Sequence, residues 1–219
     1  MADTSNTLPK TLWLGFFVAF TLLALAIGLA VSQNVRQQNS PLPVLNQVTD
    51  FTLTNQDGIA TTLADLTNHV WVADIIFTRC AGPCPRMTQQ MKSLQELTSP
   101  ADGIKLVTLT TDPEYDTPEL LKRYGEHYGA NFTRWTFLTG TKAQIANLAA
   151  DSLKLSSAPV KTEARTDAAD LFIHTTIFVA VDKHARLRGI FETGGDGVDW
   201  TNDVQPKLLR TLRRLNSEP

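Results

Sequence analysis

Cysteine is scarce in this chain, which has only Cys80 and Cys84 among its 219 residues. Two cysteines are too few for a disulfide-stapled scaffold and too few for a zinc site with four thiolate ligands. A charge excess is also lacking, because the formal net charge is −2, so nothing favours a nucleic-acid partner. With 42% hydrophobic residues and no evident internal repeat, the chain can form one good-sized domain with short appendages.

Charged residues are absent from the run Leu12–Val31. As a helix this run is long enough to cross a hydrocarbon core, and it is longer than the apolar part of a usual signal peptide, which is the alternative. The sequence therefore predicts a short tail at 1–11, a transmembrane anchor at 12–31 and a polar linker at 32–48. The short segment before the anchor favours a single-pass protein of the inner membrane with its domain on the periplasmic side.

Both cysteines lie between a predicted strand and a predicted helix. The run Val70–Phe77 is apolar and β-rich, as in a buried strand. After the cysteines, apolar residues recur at helical spacing, and Pro83 or Pro85 suits the first helical turn. These apolar residues are Met87, Met91, Leu94 and Leu97. Core packing explains Met87 and Met91 better than metal ligation does.

The spacing of Cys80 and Cys84 suits two kinds of chemistry. Residues four apart on a helix have Cα atoms about 6 Å apart, which fits either a disulfide or two sulfurs on one soft metal ion. The N-terminus of a helix also favours thiolate over thiol. Two buried structural cysteines are the alternative, but the neighbouring Gly82 and prolines indicate a loop tip instead.

The remaining pattern alternates strands with helices over residues 49–216. The predicted elements are a hairpin at 51–62, strands at 104–110, 135–138, 171–181 and 187–191, and helices at 117–128, 141–153 and 204–215. Thr117 and Pro118 are the expected N-cap and first residue of one helix. This order predicts an α/β fold with a mixed central sheet flanked by helices. A cysteine pair after a central strand is where a thioredoxin-like fold keeps its redox site.

Of the four histidines, three are expected at the surface: His69, His127 and His184. His174 differs because it opens the apolar strand that ends at Val181. In a thioredoxin-like fold that strand entry faces the cysteine turn. Two thiolates and an imidazole suit Cu(I), and Cu(II) with one further ligand, whereas zinc would need a fourth ligand or a catalytic water.

The motifs resemble those of the Sco/SenC family, membrane-tethered thioredoxin-like copper proteins of cytochrome c oxidase assembly. The similarity covers most of residues 50–215. Its parts, besides the anchor, are Phe77-Thr78-Arg79-Cys80-x-x-x-Cys84-Pro85, Thr111-Asp112-Pro113-Glu114-x-Asp116-Thr117-Pro118, Trp135-x-Phe137-Leu138-Thr139-Gly140 and His174-x-x-x-Phe178-Val179-x-Val181-Asp182. Family members commonly carry Pro-Asp after the first cysteine, where this chain has Ala81-Gly82, which alters the charge beside the sulfurs.

The resemblance implies that Cys80, Cys84 and His174 bind copper. It also implies that the protein delivers copper to the copper-bearing subunit of cytochrome c oxidase, or maintains the thiols of that binuclear centre. A membrane-tethered thiol-disulfide oxidoreductase, using Cys80 and Cys84 as a redox pair without obligatory metal, is the alternative. A thiol peroxidase lacks support because the chain has no separate resolving cysteine.

Overall fold

The computed structural model describes residues 10–39, 41–155 and 176–218. The chain divides into two units, Met1–Leu42 and Pro43–Pro219. Helix α1 (Lys10–Asn39) belongs to the first unit. In the described part of the chain, no helix combines the length and the apolar character that crossing a membrane requires. The anchor predicted at 12–31 is therefore not confirmed.

An eight-stranded sheet runs through the described residues of the second unit. The strands are β1 (Asn46–Gln47), β2 (Thr52–Asn55), β3 (Ala60–Thr62), β4 (Trp71–Ile76), β5 (Lys105–Thr110), β6 (Trp135–Thr139), β7 (Ile177–Val181) and β8 (Arg186–Glu192). Their order is β1-β8-β7-β4-β5-β6-β2-β3. Strands β4, β5 and β6 are parallel, and the other described pairings are antiparallel. The predicted mixed sheet is confirmed.

Strand β4 is central and carries the chain toward the cysteines. Trp71, Val72 and Ala73 are at most 1% exposed, which explains the nearly unbroken apolar run, since both faces of the sheet are covered here. On one side β4 pairs with β5 in parallel. On the other side it pairs with β7 in antiparallel fashion, with Ala73 opposite Val179. The beginning of β7 therefore lies at the end of β4 from which the cysteine turn departs.

The described residues of the second unit contain four α-helices: α2 (Cys84–Leu97), α3 (Pro118–His127), α4 (Lys142–Ala146) and α5 (Gln205–Ser217). On α2, Met87, Met91 and Leu94 are at most 1% exposed, which confirms the core packing expected of the two methionines. Leu97, the last residue of α2, is 50% exposed and does not continue that buried stripe. On α3, the Thr117 hydroxyl accepts a 3.3 Å hydrogen bond from the Leu120 N–H, so the predicted N-cap is confirmed.

Two regions differ from their predicted extents. The helix expected at 141–153 is α-helical only over α4 and continues as a π-helical turn, Asn147–Ser152. The segment expected to be a linker at 32–48 contains the end of α1 and the whole of β1. Strand β1 forms because it pairs with β8, and the Leu45 N–H also donates to the carbonyl of Leu187 at 2.8 Å.

Candidate metal centre

The turn between β4 and α2 presents the two cysteines. Pro83 is the N-cap residue of α2, Cys84 is the first helical residue and Pro85 follows within the first turn. Cys80 lies before the helix, and its N–H donates to the Phe77 carbonyl at 3.2 Å. The helix start at Pro83 agrees with the first turn expected there, but the spacing of two residues four apart on one helix does not apply, because Cys80 precedes the helix.

The two thiols nevertheless influence each other. Both cysteines are free thiols, 7% and 4% exposed, and the Cys80 side chain lies near enough to raise the pKa of the Cys84 thiol. The main-chain N–H of Gly82 donates to Cys80 Sγ at 3.3 Å. Ala81 and Gly82 are themselves exposed at the tip of the turn. The pair is thus covered by protein but lies directly beneath an exposed loop.

Burial raises the pKa of the Cys84 thiol well above its ordinary range. The hydrogen bond with Cys80 and the nearby charges of Cys80 and Asp74 raise this pKa further, while a hydrogen bond with the main chain of Phe77 lowers it. Low dielectric and like charge both disfavour the thiolate. Cys84 is therefore held as a neutral thiol until a proton acceptor or a cation enters.

Asp74 is a buried acid that sequence reasoning missed. It lies within β4, is 0% exposed, and accepts a 2.6 Å hydrogen bond from the Thr108 hydroxyl. Its second oxygen, Oδ2, is buried and has no hydrogen-bond partner among the described residues. Burial raises the pKa of Asp74 to about 7. The signal available in the sequence was an aspartate inside an otherwise apolar strand.

His174, the predicted third ligand, lies outside the described residues. In the described part of the chain, no three His, Cys, Asp or Glu side chains cluster closely enough to hold a metal ion. Among the other histidines, His127 and His184 are exposed as expected, while His69 is half-buried and hydrogen-bonded through Nδ1 to the Gly103 carbonyl at 3.0 Å.

The described residue nearest to His174 in the chain is Thr176, which is tied to the cysteine helix through one intermediate loop. The Thr176 hydroxyl donates to the Gly194 carbonyl at 2.8 Å, and the Thr193 N–H donates to the Thr176 carbonyl at 2.6 Å. Gln90 of α2 in turn donates through Nε2 to the Thr193 carbonyl at 2.9 Å. The entry to β7 is therefore fixed against the helix that begins at Cys84.

Arg86, one turn before Gln90 on α2, also lies against the loop that follows β8. A Cβ atom placed on Gly194 would meet the Arg86 guanidinium and lie 3.2 Å from the Thr176 methyl group. The end of the Arg86 side chain and the start of β7 therefore both lie against Gly194. The glycine-rich loop after β8 is thus packed between α2 and the start of β7.

Comparison with known proteins identifies the family. The SCO1/SenC family model matches residues 41–208. The chain belongs to the SCO1/SenC family. A SCO1 protein homolog from Bacillus subtilis is 37% identical over 147 residues, which are 66% of this chain and 73% of that protein.

Solved structures agree with this assignment. BsSco, a member of the Sco family of cytochrome c oxidase assembly proteins in which a disulfide switch was identified, has a TM-score of 0.65 and 28% identity, covering 82% of this chain and 100% of that one. Copper-bound ScoI from Bradyrhizobium japonicum has a TM-score of 0.58 at 22% identity, covering 77% and 99% of the two chains. The second unit therefore has the thioredoxin-like Sco fold.

Proposed function

We propose that this SCO1/SenC protein is a copper-binding assembly factor that holds copper through Cys80, Cys84 and His174. The observation that carries the proposal is the pair of free, buried thiols on either side of the exposed turn residues Ala81 and Gly82. Two sulfurs presented together suit a soft cation, and an imidazole completes a set that accepts Cu(I) or Cu(II). Copper bound to ScoI of Bradyrhizobium japonicum supports copper as the cargo.

The network around Thr176 supports the choice of His174 as third ligand. Thr176 is fixed to α2 through Thr193 and Gly194. Two residues of chain span at most about 7 Å, so the position of Thr176 limits how far His174 can lie from the cysteine helix.

The raised pKa of Cys84 affects how the protein would take up copper. Thiols must lose their protons to bind a metal ion, so copper uptake releases protons and becomes tighter as pH rises.

A competition titration of the full chain with Cu(I) and bicinchoninate tests this proposal. We expect one copper per wild-type chain, and its loss in both Cys80→Ser and His174→Ala. His127→Ala is the matched control, because His127 is an exposed histidine on α3, and it should bind like wild type. Normal copper binding by His174→Ala, together with insulin reduction that needs only the two cysteines, would instead establish the oxidoreductase.

We further propose that the client is the copper-bearing subunit of cytochrome c oxidase, whose binuclear centre would receive copper or have its thiols maintained. The support is that BsSco is a member of a family of oxidase assembly proteins. A pull-down from membranes with the full chain should recover that subunit, and the Cys80→Ser and Cys84→Ser variants should recover less of it.

We also propose that residues 12–31 attach the protein to the inner membrane, with the domain on the periplasmic side. The uncharged run and the exposed Trp13, Phe17 and Phe20 of α1 support this. Protease added to intact spheroplasts should degrade the domain, whereas protection of the domain would place it in the cytoplasm.

A further inference from the structure

The loop between β5 and α3 holds the segment that leads into Cys80. Asp116 in this loop is 0% exposed, and its carboxylate accepts three hydrogen bonds. The donors are the Thr78 N–H at 3.1 Å, the Thr78 hydroxyl and the Thr110 hydroxyl. Thr78 is two residues before Cys80, and Thr110 is the last residue of β5. One buried carboxylate therefore joins the cysteine turn to the neighbouring strand.

The same loop also holds the next residue, Arg79. Its guanidinium donates to Asp112 Oδ2 through Nε at 2.8 Å and lies 2.6 Å from it through Nη2. The guanidinium carbon is also 4.4 Å from the centroid of the Tyr115 ring. The two aspartates are also linked through the main chain, since the Asp116 N–H donates to the Asp112 carbonyl at 2.8 Å. Both residues that precede Cys80 are thus fixed from one loop.

Local turn and capping roles do not explain the Asp116 carboxylate. The N-cap of α3 is Thr117, and two of the three donors to Asp116 come from Thr78, which is 38 residues away in sequence. A carboxylate removed from water is stable only when its lone pairs are occupied, and here two of the three donors that occupy them belong to the cysteine turn.

We propose that Asp116 is the positioning residue of the site: through Thr78 it holds Cys80 in place beside Cys84. The copper measurement that tests this inference rests on the proposed function. Asp116 itself acts through Thr78 and not by contact with either sulfur. Fixing the main chain before Cys80 removes the ordering cost that a loose turn would add each time both sulfurs converge on one ion or bond to each other.

Three variants separate positioning from stability. Asp116→Asn keeps the shape but replaces one acceptor oxygen with a donor. Thr78→Val removes only the hydroxyl on the cysteine side of the carboxylate. Thr110→Val is the control, because it removes the hydroxyl on the β5 side, which also accepts from the Asp112 N–H at 3.0 Å, and leaves both bonds from Thr78 in place. Urea unfolding of each full-length variant gives its loss of stability.

Two readouts are measured for each variant. Competition with bicinchoninate gives the Cu(I) affinity, and metal-free equilibration with dithiothreitol gives the tendency of Cys80 and Cys84 to form their disulfide. In the second, the two thiols lose two electrons and two protons to oxidised dithiothreitol, which becomes the dithiol. We expect Asp116→Asn and Thr78→Val to lower the Cu(I) affinity by roughly 10- to 100-fold, as is usual for residues that orient metal ligands, and to weaken the disulfide. Thr110→Val should stay close to wild type in both.

The inference is overturned if Thr78→Val matches wild type in both readouts, or if Thr110→Val weakens them as much at an equal loss of stability. The disulfide readout needs no copper. If the wild-type chain binds no copper, the proposed function is wrong. If Thr78→Val nevertheless forms a weaker disulfide than wild type, the positioning role of Asp116 is still supported.

Discussion

Asp74 and Thr108 are direct neighbours across the parallel pair β4 and β5, and the Thr108 hydroxyl donates a 2.6 Å hydrogen bond to Asp74 Oδ1. This single bond does not offset complete burial of the carboxyl group, whose pKa is raised from 3.8 to about 7. The folded protein thus keeps a proton on Asp74 that the unfolded chain gives up near pH 4.

The first prediction concerns pH and stability. Burial raises the pKa of Asp74 in the folded state. The contribution of protonated Asp74 to the free energy of unfolding is therefore fully present below about pH 4 and is lost as pH rises through about 7. The shift corresponds to about 4 kcal/mol, since each pKa unit is about 1.4 kcal/mol. Asp74→Asn should therefore gain stability relative to wild type between pH 4 and pH 7 in urea unfolding. Asp151→Asn, at an exposed site, should not. A constant difference between wild type and Asp74→Asn across this range would contradict the prediction.

The second prediction concerns the ionisation of Cys84. In a Cys80→Ser background only one thiol remains, and the ultraviolet absorbance of its thiolate can be titrated directly. We expect Cys84 to stay protonated through neutral pH, because burial raises its pKa. Adding Asp74→Asn should lower this pKa, since the Asp74 charge contributes to raising it. The double serine variant supplies the tyrosine background, and an unchanged titration on removing Asp74 would disprove the coupling.

The third prediction concerns a buried glycine in α3. A Cβ atom on Gly125 would lie 2.8 Å from Phe132 and 2.9 Å from Phe137. Within a helix, alanine is normally more stabilising than glycine by up to about 1 kcal/mol. Overpacking of this kind lowers the stability of the fold by about 1–3 kcal/mol. Gly125→Ala should therefore destabilise the fold in urea unfolding. Gly82→Ala, whose Cβ would meet only Cys80 Sγ at 3.8 Å, should be nearly neutral, and equal effects of the two changes would refute the packing argument.

The fourth prediction concerns the end of α2. Arg134 is buried and donates to the carbonyls of Gln95 and Thr98, at 3.3 and 3.0 Å, and to the Thr98 hydroxyl. Arg134→Met keeps most of the volume but leaves these acceptors buried without the donor, which costs about 1–3 kcal/mol for each such group. Arg134→Lys should recover part of the loss. Arg123→Met, on the exposed side of α3, is the control, and an equally stable Arg134→Met would show that the guanidinium does not cap the helix.

Local sequence signals were sufficient for much of this fold. The hairpin of β2 and β3 has its turn signal in Asn55-Gln56-Asp57-Gly58, and β4 and β5 are marked by short apolar runs. The cap at Thr117 follows from a hydroxyl before a proline. Each of these features depends on residues that are neighbours in the chain, so the pattern alone identifies it.

Features that depend on distant partners were missed or misplaced. Strand β1 has only two residues and forms because β8 is beside it. The burial of Asp74 depends on the strands to either side of it, and the role of Asp116 depends on Thr78, 38 residues away. At the candidate site, the sequence indicated both cysteines and a helix start at Pro83 or Pro85, but the helical spacing assumed for the pair does not apply, since α2 begins at Cys84. His174 as a ligand stays a prediction.

The pairing of Asn46 with Leu187 has a consequence for how the molecule is made. Strand β1 is synthesised early and stays without its partner until β8, the last described strand of the sheet, has been synthesised. The turn after β4, the loop after β5 and the loop after β8 likewise come from widely separated parts of the chain. Because such long-range contacts form slowly, the cysteine turn acquires its final surroundings late in folding, and a chain that ends before β8 would lack part of them.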